Sequence, residues 1–190
     1  MRTIDHAAFA LRFGKDVLGI KSPIKKISFW LGNLLPDYSY HTYHKNIGHG
    51  FRTARKKLVL AWQSRHFRGE GATFYYRLGV AAHYLCDSFT YPHSKLFKGT
   101  LSQHIEYENE LHRQLGKQNG NHTENVPVFD EPLKCMRYLE SKHKSYLRHP
   151  EKSPLADFKW ITEACTTALL TSLKTVSYTH LRAHETRRHL

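Results

Sequence analysis

What the chain lacks removes several classes of protein. It has three cysteines, Cys86, Cys135 and Cys165, widely separated and without a CxxC pair. Neither a disulfide framework nor a thiolate zinc knot can be built from them, and they read as reduced core thiols. No apolar run approaches the roughly 18 to 20 residues that cross a bilayer. The opening MRTIDHAAFALRFGKDVLGI is broken by Asp5, His6, Arg12, Lys15 and Asp16, which is not the pattern of a signal peptide, so a cytoplasmic location is expected. Acidic residues are scarce: 16 Asp and Glu stand against 29 Lys and Arg, a formal charge of +13. That balance suits anionic partners such as phosphate esters, nucleic acid or an acidic lipid surface. Sustained period-two alternation is missing too, which argues against a half-buried sheet.

Present in quantity are aromatics (11 Tyr, 10 Phe, 3 Trp) and 15 histidines. The aromatics supply volume for a core and exclude wholesale disorder. Helical periodicity dominates, and the expected fold is an all-α, multi-helix bundle. Residues 3–18 place Ile4, Ala7, Ala8, Leu11 and Leu18 on one apolar stripe, with Gly19 as a stop and His6 facing the same way. Ser22-Pro23 reads as N-cap and first-turn proline of a short helix that Gly32-Asn33 ends. Further helices are expected over 47–67, 72–89, 101–115, 131–147 and 154–173, with loops at 33–46 and 116–127. The ending 176–190, VSYTHLRAHETRRHL, resembles translated sequencing-adapter DNA rather than a native histidine-rich tail. The native domain is therefore expected within 1–175, truncated at its C-terminus.

The chemistry concentrates in GVAAHYLCDSFTYPHS. His83 and Asp87 lie four apart on a predicted helix, so they share a face about 6 Å apart and can hold one cation between them. His93 follows just past Pro92, where the chain has left the helix and can fold back. SQHIEYENE repeats the spacing with His104 and Glu108. Two facing helices that each present a His/carboxylate pair are a way to build a multinuclear site, and nitrogen and oxygen donors without thiolate favour zinc, with manganese or iron as alternatives. An unpaired Asp87 in that apolar run would be costly to bury without a cation. Asp37 after Pro36, His49 near the next helix start and His6 complete an ordered series.

That series, His6, Asp37, His49, His83, Asp87, His93, His104 and Glu108, resembles the ligand pattern of the zinc-dependent phospholipase C family, whose all-helical fold is shared with single-strand nucleases and 3′-nucleotidases. The likeness spans roughly residues 3 to 115 and is strongest across HxxxD, His, HxxxE, with GNLLPD similar to the family's Pro-Asp segment. The resemblance implies two or three zinc ions. Asp37, His49, His83 and Asp87 would hold one, and His93, His104 and Glu108 another. The third would fall to His6, the amino end and a bridging Asp87. Secreted members begin with a tryptophan that ligates the third metal, whereas this chain begins with Met1, and His6 stands closer to the chain start than its counterpart. His41, His44 and His112 are spare imidazoles, and His143 and His149 read as surface groups.

The implied activity is hydrolysis of a phospholipid headgroup ester by metal-activated water. Asp37 is the candidate to orient or deprotonate the nucleophile, Tyr38, Tyr40 and Tyr43 could receive a choline-like cation, and peripheral membrane contact is open. A nuclease or 3′-nucleotidase acting on nucleic acid is the alternative reading. A non-catalytic, metal-stabilised module that binds through basic stretches such as RTARKK, itself most simply a solvated helix face, is the third.

Overall fold

The computed structural model describes residues 1–38, 50–117, 125–149 and 151–188, excepting the side chains of 116–117 and 175–188. Among the described residues seven helices follow in order: α1 (Thr3–Asp16), α2 (Pro23–Leu34), α3 (Phe51–Arg68), α4 (Ala72–Ser88), α5 (Leu101–Lys117), α6 (Pro132–Arg148) and α7 (Pro154–Arg188). Short 3₁₀ turns at Leu35–Tyr38 and Tyr91–His93 extend α2 and follow α4. The fold is all-α, with no strand among the described residues. No helix among them is long and apolar enough to cross a membrane.

The hub is α4, which packs against α2, α3 and α7. Its last two turns are buried on every side, from Ala81 through Ser88, as expected of an element enclosed by neighbours. Around it Phe29, Phe74, Leu78, Phe89, Leu111, Leu139, Ile161 and Leu169 form a closed core. The three cysteines are free and buried, with the Cys86 and Cys165 sulfurs 3.6 Å apart between α4 and α7.

Two expectations are revised. The apolar stripe drawn on α1 is not the buried one: Ile4 and Leu11 are 57% and 65% exposed, whereas Asp5, His6, Phe9, Ala10 and Phe13 face inward. Phe9 and Phe13 stack 3.8 Å apart, and this larger aromatic pair sets the helix rotation that also turns His6 into the interior. Gly32 does not end α2, which runs on to Leu34. It serves instead as a contact point, for a Cβ there would lie 2.1 Å from the Tyr76 carbonyl oxygen, and one on Gly79 would lie 2.2 Å from that of Phe29. The paired glycines let α2 and α4 touch backbone to backbone.

Candidate metal centre

The α2–α4 contact positions the first group of donors. His83 and Asp87, one turn apart at the end of α4, are fully buried. The His83 Nδ1 donates to the Asn33 carbonyl oxygen at 2.8 Å. A carbonyl can only accept, so the proton belongs on Nδ1 and the lone pair on Nε2. Nε2 lies 3.5 Å from Asp37 Oδ1 and 3.5 Å from Asp87 Oδ2. Asp37 is carried there by the 3₁₀ turn that continues α2, and Thr3 Oγ1 donates to its Oδ2 at 2.7 Å. From α1, His6 stacks on His83 at 3.9 Å and places Nε2 3.1 Å from Asp87 Oδ1.

A second group meets the first at Asp87. The buried Pro92 turns the chain after α4 and returns His93, whose Nδ1 is 3.5 Å from Asp87 Oδ2 and whose Nε2 is 3.0 Å from Glu108 Oε1. His104, four residues before Glu108 on α5, brings Nε2 to 3.3 Å from the same oxygen. The Met1 amino group sits between the two groups, 2.9 Å from Asp87 Oδ1, 2.8 Å from Glu108 Oε1 and 3.2 Å from His93 Nε2.

Electrostatics define what the cluster wants. Burial works against the Met1 ammonium, but Asp87 and Glu108 outweigh it and lift its pKa to about 11. Burial likewise opposes ionisation of Glu108, yet hydrogen bonds from His104, His93 and the amino group hold its carboxyl well below the usual range. Burial, reinforced by the amino group, lowers the pKa of His93 and keeps its ring neutral and available as a donor. Three converging carboxylates, Asp37, Asp87 and Glu108, meet the Met1 ammonium among the described residues, a charge deficit that a divalent ion would fill.

The donor chemistry fits zinc. In each of two groups, His6, His83, Asp87 and His93, His104, Glu108, one donor atom per residue lies within 4.8 Å of the others. The buried Nδ1 of His6 has no hydrogen-bond partner among the described residues. Nitrogen and oxygen donors in small groups match a borderline ion with low coordination number.

The remaining sequence candidates fall elsewhere. His49, His41, His44, Tyr40 and Tyr43 lie outside the described residues. Tyr38 is 70% exposed beside Asp37. His112 reaches Asp5, the buried neighbour of His6, rather than the donor groups. His143 is not a surface group: its ring stacks on Phe51 at 4.5 Å and lies edge-on to Phe89, and Nε2 donates to the Ser88 carbonyl at the end of α4.

One residue beside the site gave no sequence signal. Asp157, fully buried in the first turn of α7, accepts hydrogen bonds from Tyr91 N (2.6 Å), Tyr107 Oη (2.8 Å) and Tyr146 Oη (2.9 Å). An acid in the first turn of a helix normally needs no explanation beyond the helix dipole. Burial lifts its pKa from 3.8 to about 6 despite the three donors. The folded state thus binds this proton more tightly than the unfolded chain. Its stabilising contribution is present in full below about pH 4 and is lost as pH rises through about 6, worth about 3 kcal/mol. Denaturant titrations of metal-free wild type and Asp157→Asn should show that difference developing between pH 4 and 7. A constant difference between the two curves would contradict the raised pKa.

Residues 3–169 match the family model described as zinc dependent phospholipase C. No curated protein and no solved structure matches the chain.

Proposed function

Because the chain belongs to the zinc-dependent phospholipase C family, we propose that it hydrolyses a phospholipid headgroup ester at the centre described above. The observation that carries this reading is the meeting of both donor groups at Asp87, whose Oδ1 faces His6 and the amino group while Oδ2 faces His83 and His93. Asp37, His83 and Asp87 would hold one zinc together with His49, and His93, His104 and Glu108 a second. His6, Asp87 and the amino end would provide for a third. Bound there, zinc supplies a Lewis acid that neutralises phosphoryl oxygens and lowers the pKa of water toward neutrality.

The chain's own groups do the rest. Thr3 holds Asp37 by Oδ2 and leaves Oδ1 facing His83, where it can accept a proton from the attacking water or ligate. The Asn33 carbonyl keeps the His83 proton on Nδ1, so Nε2 remains a donor throughout turnover. A lipid substrate is supported by the surface beside His104. Leu96, Leu101 and Ile105 are 46%, 74% and 51% exposed, and Lys95 and Lys98 stand exposed in the same stretch. Apolar side chains flanked by cations suit an anionic lipid surface better than a nucleic-acid strand, for which stacking aromatics are the usual platform.

The test is zinc content by elemental mass spectrometry, followed by release of phosphorylated headgroup from phospholipid vesicles and of nucleotides from single-stranded oligonucleotides. Two or three zinc per chain with zinc-dependent headgroup release is the expected result. Nucleotide release alone would move the protein to the nuclease reading, and folded protein without zinc would leave a basic helical binding module.

A further inference from the structure

We infer that Asp157 is a positioning residue for the His93, His104 and Glu108 group, its carboxylate tying the chain before His93 and the side chain before Glu108 to one buried point. The inference rests on the reading that this group holds zinc. His93 and Glu108 come from separate elements, the turn Tyr91–His93 and α5, joined by residues 94–100, of which Ser94 and Phe97 are half-buried and the rest exposed. Their facing atoms are nevertheless 3.0 Å apart, a spacing that contacts reaching both elements must hold.

Asp157 Oδ2 receives both the backbone N–H of Tyr91 and the hydroxyl of Tyr107. Tyr91 opens the turn that ends at His93, with buried Pro92 between them, and the fixed proline φ carries the position of Tyr91 to His93. Tyr107 immediately precedes Glu108 on α5, so anchoring its hydroxyl fixes the rotation and height of the turn that bears Glu108 and His104. The Tyr91 and Tyr107 rings lie 6.0 Å apart, and Phe97 closes over Tyr91 on one side and His104 on the other.

The third bond is different in kind. Tyr146 donates to Oδ1 from α6, which carries none of the three donors. A buried carboxylate is an expensive way to fill a core position. One that gathers hydrogen bonds from the neighbours of two candidate ligands does what an apolar residue of equal volume cannot: it specifies direction. Ligand groups need placement within a fraction of an ångström, and loss of such outer contacts typically costs 10- to 100-fold in metal affinity.

The three bonds supply their own control. Tyr107→Phe and Tyr146→Phe each remove one hydroxyl hydrogen bond to the same carboxylate, and both should lower the melting temperature of metal-free protein to a similar small extent. Zinc affinity, measured across a buffered free-zinc series, should separate them. Tyr107→Phe should weaken one zinc about tenfold, the same zinc that His104→Ala loses, while Tyr146→Phe stays within about twofold of wild type. Asp157→Asn should weaken that zinc at least as much as Tyr107→Phe, and should it fail to fold, the tyrosine pair decides. Equal weakening by both tyrosine variants, or none by either, would overturn the positioning role. A wild type that binds no zinc would instead overturn the metal-centre reading itself.

Discussion

Replacing Asp87 with alanine is expected to cost zinc from both donor groups at once and to lower headgroup release by on the order of 10³-fold. Its two oxygens face four partners from both groups: the Met1 amino group and His6 on one, His83 and His93 on the other. Truncation would leave the ammonium with Glu108 as its remaining close carboxylate, and breaking such a buried pair costs about 3 to 5 kcal/mol. The variant should therefore melt well below wild type even without metal. Asp87→Asn separates the effects, since it keeps the volume and the acceptor oxygen but removes the charge. Elemental analysis of purified variants is the deciding measurement, and retention of the full wild-type zinc complement by Asp87→Ala would refute a shared carboxylate.

The second large effect belongs to a residue with no side chain. Gly32→Ala places a carbon 2.1 Å from the Tyr76 carbonyl oxygen, 2.9 Å from the Val80 nitrogen and 3.0 Å from the Gly79 Cα. All three are backbone atoms of α4, so no flexible side chain can yield, and the helices must separate. Overpacking of this kind costs about 3 kcal/mol or more. The damage extends to function, because Asn33, the next residue, supplies the carbonyl that fixes His83, and Asp37 follows one turn later. Zinc affinity should fall together with the melting temperature. Gly71→Ala, where a Cβ meets nothing within 4 Å, is the control and should be close to neutral. If both variants melt with wild type, the close crossing of α2 and α4 is not what holds this part of the site.

These cases mark what the sequence discloses. Helix identity was legible because period and punctuation act locally: Pro23 opens a helix as it was read to do, and helices expected from 131 and 154 begin at Pro132 and Pro154. The likeness of His83, Asp87, His93, His104 and Glu108 to a ligand series was legible because i, i+4 spacing on a helix is a geometric statement, and the structure brings these five side chains together. The face of α1 was not legible. Ile4 and Leu11 are as apolar as the residues that bury, and only the demands of Phe9, Phe13 and His6 on distant partners choose between rotations. Gly32 read as a stop because a glycine's use for close approach is invisible until the opposing helix, with its own Gly79, is in view. Asp157 was missed for the same reason, since its donors come from Tyr91, Tyr107 and Tyr146 on three other elements.

The span of chain that these contacts bridge also sets an order of events. Asp87 pairs with His6 across 81 residues and with the amino group across 86, and the anchor at Asp157 lies farther along still. Contacts of such separation form late, after loop closure has been overcome, and a chain still being synthesised holds its first donors long before their counterparts exist. Unlike a zinc finger, where a local loop and its ion fold as one event, this centre is completed by a finished helical framework. Metal capture at such a centre would then be a step of maturation that follows folding rather than one that drives it.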